Sequence, residues 1–130
     1  IGEMNTFAKQ YAESLAQVSG RTALIADRDQ FIAVSGGFKS ILGKSISKEL
    51  EEKLNKREMV IASKEDSNFI PITQDVTDDF EQEAISPIIC EGDMIGGVVL
   101  IDNGEKGKMG EVEQKLIQSA AGFLGRQMEQ

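Results

Sequence analysis

The segment Pro87-Ile-Ile-Cys-Glu-Gly-Asp-Met-Ile-Gly-Gly-Val-Val-Leu-Ile101 sets the architecture of this chain. Residues 84–91 and 94–102 are apolar, β-branched runs joined at Gly92-Asp93, a pattern that predicts a β-hairpin. The second arm, residues 95–101, is nearly all apolar, so both of its faces must be covered and it belongs in the middle of a sheet. Gly96 and Gly97 carry no Cβ and admit close approach of neighbouring backbone.

Upstream the composition changes. Within residues 64–83, Glu65, Asp66, Asp75, Asp78, Asp79, Glu81 and Glu83 surround the apolar patch Phe69-Ile-Pro-Ile72. A long loop with a partial edge strand is expected, because Pro71 has no amide hydrogen to give a central ladder. Residues 59–63 read as a strand. Residues 47–57 read as a helix: Ser47 is placed to accept from the first free amides, Glu49 to Glu52 sit near the positive end, and Lys53, Lys56 and Arg57 close the negative end. Leu50 and Leu54 form its apolar edge. Residues 22–27 and 30–35 form a second predicted hairpin around Arg28-Asp29, closed by Gly36-Gly37; neither strand alternates cleanly, so this hairpin too should be covered on both faces.

Both ends of the chain are helical in period. Met4, Phe7, Ala8, Tyr11, Leu15 and Val18 form one stripe, ended by Ser19-Gly20. From residue 109 onward, Met109, Val112, Leu116, Ile117, Ala120, Ala121, Phe123, Leu124 and Met128 cover about half of a helix circumference, wider than the roughly 100° stripe one core face requires. The last helix therefore has two surfaces to touch, a sheet and a second subunit. A homo-oligomer through the terminal helices is expected, with Phe7, Tyr11, Leu15, Leu116, Ala120, Phe123 and Leu124 at its interface.

The resulting expectation is a single α+β domain over residues 1–130, a central antiparallel sheet of five or six strands with the N- and C-terminal helices on one face. The middle helix and acidic loop would cover part of the other face, leaving a pocket for a small effector lined by Ala26, Phe31, Ala33, Ser35, Ile61 and Ser63. A start at Ile1 rather than Met suggests a piece of a longer protein.

Composition narrows the chemistry. Fourteen Lys and Arg stand against 22 Asp and Glu, a formal charge of -8 that repels a phosphate backbone, so any DNA contact is expected from a segment outside this chain. No histidine is present, which removes Ser-His and Cys-His nucleophiles and imidazole ligands. We expect no catalytic residues, no metal site and no cofactor. The single cysteine, Cys90, forms no internal disulfide and fits a reducing, cytoplasmic compartment; inside an apolar run it reads as a small buried hydrophobe. No apolar run approaches the roughly 18 residues of a membrane helix. Asp75, Asp78 and Asp79 lack EF-hand spacing and read as a solvated loop. Ser35-Gly36-Gly37 lacks the Lys-Ser/Thr ending of a P-loop and reads as a turn, with Lys39 and Lys44 nearby as weak anion ligands.

The closing hairpin resembles that of GAF domains: a proline enters the first strand, a glycine makes the turn, and an Ile-Gly-Val-like core strand follows. Phe7-Ala-Lys-Gln-Tyr-Ala12, Ala26-Asp-Arg-Asp29, Ile32-Ala-Val-Ser-Gly36, Lys44-Ser-Ile-Ser47, Met109-Gly-Glu-Val-Glu113 and Arg126-Gln-Met-Glu-Gln130 resemble, in order, the C-terminal domain of the stage V sporulation protein T family. Residues 58–82 match nothing in it. The resemblance implies a GAF-like regulatory and oligomerisation domain of a sporulation transcription regulator. It would bind an unidentified effector and relay it to an absent AbrB-type N-terminal DNA-binding domain; the alternative is a purely structural oligomerisation module.

Overall fold

The apolar arm expected in the middle of the sheet lies there. β5 (Asp93–Asp102) pairs antiparallel with β4 (Gln82–Cys90) on one side and β1 (Thr22–Ala26) on the other. With β2 (Phe31–Ser35) and β3 (Val60–Ser63) at the edges, the five-stranded order is β2-β1-β5-β4-β3. Three helices complete the computed structural model: α1 (Gly2–Ser19), α2 (Lys48–Asn55) and α3 (Glu111–Gln127). It describes residues 2–75 and 79–129.

The β4–β5 turn is one residue earlier than its sequence suggested. Glu91 (φ 52°) and Gly92 (φ 86°) are its two left-handed residues, while Asp93 already pairs with Cys90. Two positive φ values in succession match the right-handed twist of the flanking strands. A bulge interrupts each hairpin. Ile25 opposes Ala33 and Ala26 opposes Phe31, which leaves Ile32 as the extra residue and sends Phe31 and Ala33 to opposite faces of the sheet.

Two cores result, one on each face. Met4, Ala8, Ala12 and Leu15 of α1 and Ile117, Ala120, Ala121 and Leu124 of α3 pack on Ala23, Ile25, Ala84, Ile88, Val98 and Leu100. The alternate strand residues, Leu24, Ala26, Ile85, Val99 and Ile101, face a second core closed by Leu50 and Leu54 of α2 and by Ile70, Ile72 and Phe80 of the acidic segment. Close approach fixes two glycines. A Cβ on Gly125 of α3 would lie 2.1 Å from the Ile89 carbonyl oxygen, and one on Gly96 would lie 2.1 Å from that of Ala26.

The partial edge strand expected at Phe69-Ile-Pro-Ile72 does not form. β3 already occupies that edge, and the patch runs instead as a strap across the second core. Its last residues tie to the start of α2: the Ser47 N–H donates to the Ile72 carbonyl at 2.9 Å, and Ile46 bridges Thr73. The Ser47 hydroxyl caps α2 by accepting from the Leu50 N–H at 2.9 Å and donates to the Pro71 carbonyl at 2.6 Å. Among the described residues, no helix is long and apolar enough to cross a membrane.

Candidate functional site

α1 and α3 lie side by side on their face of the sheet, and a groove of about 520 Å³ runs along their outer surface. Phe7, Tyr11, Ser14, Leu15 and Val18 line one wall, Leu116, Ser119 and Phe123 the other. The Phe123 ring meets Phe7 edge-on at 6.4 Å and Tyr11 at 5.2 Å. Val18 is 70% exposed and Val112, one turn before Leu116, 66%. Of the residues expected at an oligomer interface, Phe7, Tyr11, Leu116 and Phe123 are half-buried in this groove. Leu15 lies at its floor. Ala120 and Leu124 are turned wholly into the first core.

The six residues expected to line an effector pocket do not share a cavity. Phe31 and Ile61 stand on opposite edge strands with three strands between them. Ala26 and Phe31 enter the second core and Ala33 the first, against which Ile61 also packs. Ser35 is half-buried at the end of β2, and Ser63 borders a polar cleft with Glu65 and Gln82. One cavity on the α2 face belongs to the acidic segment itself. It measures about 520 Å³ and is lined by Lys64, Phe69, Pro71, Ile72, Thr73, Asp79 and Phe80. Lys64 at its rim pairs with Asp79 and Glu81.

Two buried polar features have no local signature in the sequence. At one end of the sheet, Arg21 is 6% exposed between two carboxylates. Its Nε donates to Glu113 Oε2 at 3.1 Å, and its Nη1 donates to Asp102 Oδ2 and to the Gly107 carbonyl. Gln82 Nε2 donates to Asp102 Oδ1 (3.2 Å) and to the Gly107 carbonyl (2.7 Å), while Gln82 Oε1 accepts from the Met109 N–H. Glu113 Oε1 accepts from the Gly110 N–H, the free amide at the start of α3. Burial opposes ionisation of Glu113, but hydrogen bonds from the Gly110 and Glu113 amides and the charge of Arg21 together hold it below the usual carboxylate range. The hub thus fastens the α1–β1 junction, β4, β5 and α3 to one another.

The second feature is Glu83. Counted by sequence with the acidic loop, it is a β4 residue with no exposed surface. Oε2 accepts from the Ile70 N–H at 2.7 Å, and Oε1 is buried without a partner among the described residues. Burial pushes its carboxyl up to about 8, and the single amide bond offsets only part of that.

The profile of the family described as "Stage V sporulation protein T C-terminal, transcription factor" matches residues 3–129. The chain belongs to that family. Stage V sporulation protein T of Bacillus subtilis (strain 168) is 43% identical over 131 residues, which span 100% of this chain and 71% of the relative. Two solved structures share the fold at low identity. One is a methyl-accepting chemotaxis protein, residues 122 to 287 (TM-score 0.77, 15% identity, 96% of this chain and 88% of that one). The other is the GAF domain from an Acinetobacter phosphoenolpyruvate-protein phosphotransferase (TM-score 0.75, 11% identity, 96% and 81%). The chain has the GAF fold.

The minor motifs of the chain fall into place around that fold. Cys90 is half-buried at the end of β4, and burial, with Glu91, Glu129 and Asp93 around it, pushes its thiol up and away from the reactive thiolate. Asp75 pairs with Lys44 at 3.6 Å and Asp79 with Lys64; Asp78 lies outside the described residues. Gly36 and Gly37 have φ values of 101° and 139° and make the turn leaving β2. Their cleft contains Arg21 and Lys106 beside Asp102 and Glu105, and neither Lys39 nor Lys44 lines it.

Proposed function

We propose that the chain is the non-catalytic, cytoplasmic regulatory part of a longer sporulation transcription regulator, and that two copies pair across the α1–α3 groove. One observation carries this reading. Phe7, Tyr11, Ser14 and Val18 on α1, and Val112, Leu116, Ser119 and Phe123 on α3, repeat the same four-three-four spacing on adjacent helices. That is the seam spacing of helices that pack against partner helices, and two copies would close a four-helix bundle. Among the described residues, no charged side chain lines the groove, although the chain carries a net charge of -8. A two-fold contact brings the same patch against itself, so an uncharged patch is the one that meets its copy without repulsion.

Light scattering and sedimentation test the pairing. A concentration-dependent dimer is expected, and Phe123→Glu should make it monomeric while leaving the circular dichroism unchanged, since that ring is only half-buried. A wild-type chain that stays monomeric at its highest soluble concentration sinks the reading.

The loop cavity favours a second element, a small effector with an apolar body seated among Phe69, Pro71, Ile72 and Phe80. In a thermal-shift screen of metabolites and nucleotides, an effector at 100 times its dissociation constant should stabilise the chain by about 2.7 kcal/mol. If no compound raises the melting temperature, the purely structural module stands instead. DNA contact, in either case, is assigned to the part of the regulator outside this chain, and a relay to it requires an effector that favours one of two states.

A further inference from the structure

Glu83 is a strand residue whose neighbours on the flanking strands are Ala62 of β3 and Ile101 of β5. Ala84 faces the first core and Ile85 the second, so strand alternation turns Glu83 toward the second, where the strap of residues 69–74 crosses the sheet. The strap is unevenly fastened. Its later half is tied to the start of α2 by the Ser47 bonds to Ile72 and Pro71 and by the Gln74 N–H on the Ser45 carbonyl (3.3 Å). In its earlier half, the Phe69 N–H donates to the Asp66 carbonyl within the same segment, and among the described residues the Ile70 N–H is tied to the sheet through the Glu83 carboxyl. We propose that Glu83 is a proton-operated latch: as the neutral acid it holds the strap on the sheet, and loss of its proton to solvent releases the strap.

The charges around it leave the proton in control. Lys64, Glu65, Asp66 and Asp79 of the covering segment are exposed, and the nearest of them in kind, the Lys64 ammonium, is engaged with Asp79 and Glu81. On α2 the residues turned inward are Leu50 and Leu54, and its Glu49, Glu51 and Glu52 are exposed. On β5 the adjacent Asp102 is bound to Arg21 and Gln82 at the end of the sheet. Among the described residues, a carboxylate in this place has one amide donor and no cation, too little to replace its hydration. Lifting the strap lets water reach it. The value of about 8 agrees with a latch that is firmest below about pH 4.5 and loosens progressively as pH rises to about 8. Because Phe69, Pro71 and Ile72 also line the loop cavity, opening takes apart that wall.

Amide hydrogen exchange on the 130-residue chain tests the latch. Opening releases one proton from a group that titrates near 4.5 in solvent and near 8 when closed, so the opening constant should rise about tenfold per pH unit between those values. After correction for intrinsic rates, the Ile70 amide should lose protection with that slope while amides of β1 and β5 remain better protected. Glu83→Gln should abolish the slope. A flat Ile70 profile in the wild type, the same slope in Glu83→Gln, or Ile70 protection equal to that of β5 at every pH overturns the latch. Carboxyl carbon NMR on the wild type covers the case in which the variant does not fold: Glu83 titrating with the surface carboxylates overturns the proposal, and titration near pH 8 together with the Ile70 slope supports it.

Discussion

Arg21→Met should lower the free energy of unfolding by about 3–5 kcal/mol in urea at pH 7, the cost of removing one partner from a buried ionic group. The substitution preserves most of the apolar stem of the side chain, so lost packing is a small part of the effect. What remains is two carboxylates, Asp102 and Glu113, at 6% and 8% exposure, with their cation gone. Each keeps other donors: Asp102 accepts from Gln82 Nε2 and the Gly104 N–H, and Glu113 from the Gly110 N–H. Those bonds soften the loss without balancing a charge. Arg21→Lys should recover only part of it, because an ammonium does not reach two carboxylates and a carbonyl in the fixed fork geometry of a guanidinium.

The pH dependence separates this cause from simple loss of packing. Glu113 is held below its ordinary value in the fold, so it contributes stability that is present above about pH 4.5 and lost as pH falls through the lowered value. In Arg21→Met the Arg21 contribution to that depression is missing, and protonation of Glu113 relieves part of the uncompensated charge. The deficit of the variant should therefore be largest at neutral pH and shrink on acidification. A deficit below about 1 kcal/mol, or one independent of pH, would mean that the hub behaves as a solvated surface pair.

Periodicity carried the helices and the central hairpin because burial imposes a repeat that survives in one dimension. The apolar run at 95–101 could be placed in mid-sheet for the same reason. The six residues expected to line one pocket are dispersed because strand order is not written locally: β2 and β3 both read as short apolar strands, yet they lie on opposite edges, and one bulged residue, Ile32, reverses the facing of Ala33 relative to Phe31. The α1–α3 groove was visible as an arc too wide for one face, though Ala120 and Leu124 proved to lie on the sheet side of that arc. Arg21 and Glu113 are 92 residues apart, and neither residue alone signals the other. The nearest available hint was Glu113 three residues after Gly110, a spacing that suits the start of a helix and says nothing of a guanidinium behind it.

Glu83→Gln should reverse its effect on stability with pH. In the wild type, folding transfers the Glu83 carboxyl from solvent, where it titrates near 4.5, to an apolar site where it titrates near 8. Stability from the neutral acid is fully present below about 4.5 and is lost as pH rises toward 8, at up to about 1.4 kcal/mol per pH unit, so the accumulated cost by pH 8 is about 4 kcal/mol. Glutamine carries no such cost. Its carbonyl can keep the bond from the Ile70 N–H, but its amide group replaces the partnerless Oε1 with donors that also lack an acceptor, a penalty of about 1–3 kcal/mol. The smaller penalty is constant and the larger one grows with pH. The variant should therefore be equal to or less stable than the wild type near pH 5 and more stable near pH 8, with the curves crossing between.

That window is unusually free of other titrations. The chain has no histidine, so between about pH 5 and pH 8 only the terminal amine ordinarily titrates beside Glu83. A falling wild-type curve across it, measured by urea unfolding at successive pH values, is then assignable to one carboxyl. Parallel curves for wild type and Glu83→Gln would show that water already reaches this carboxyl in the folded state. In that event the strap is not sealed at Ile70, and the apolar surroundings of Glu83 do not set its charge.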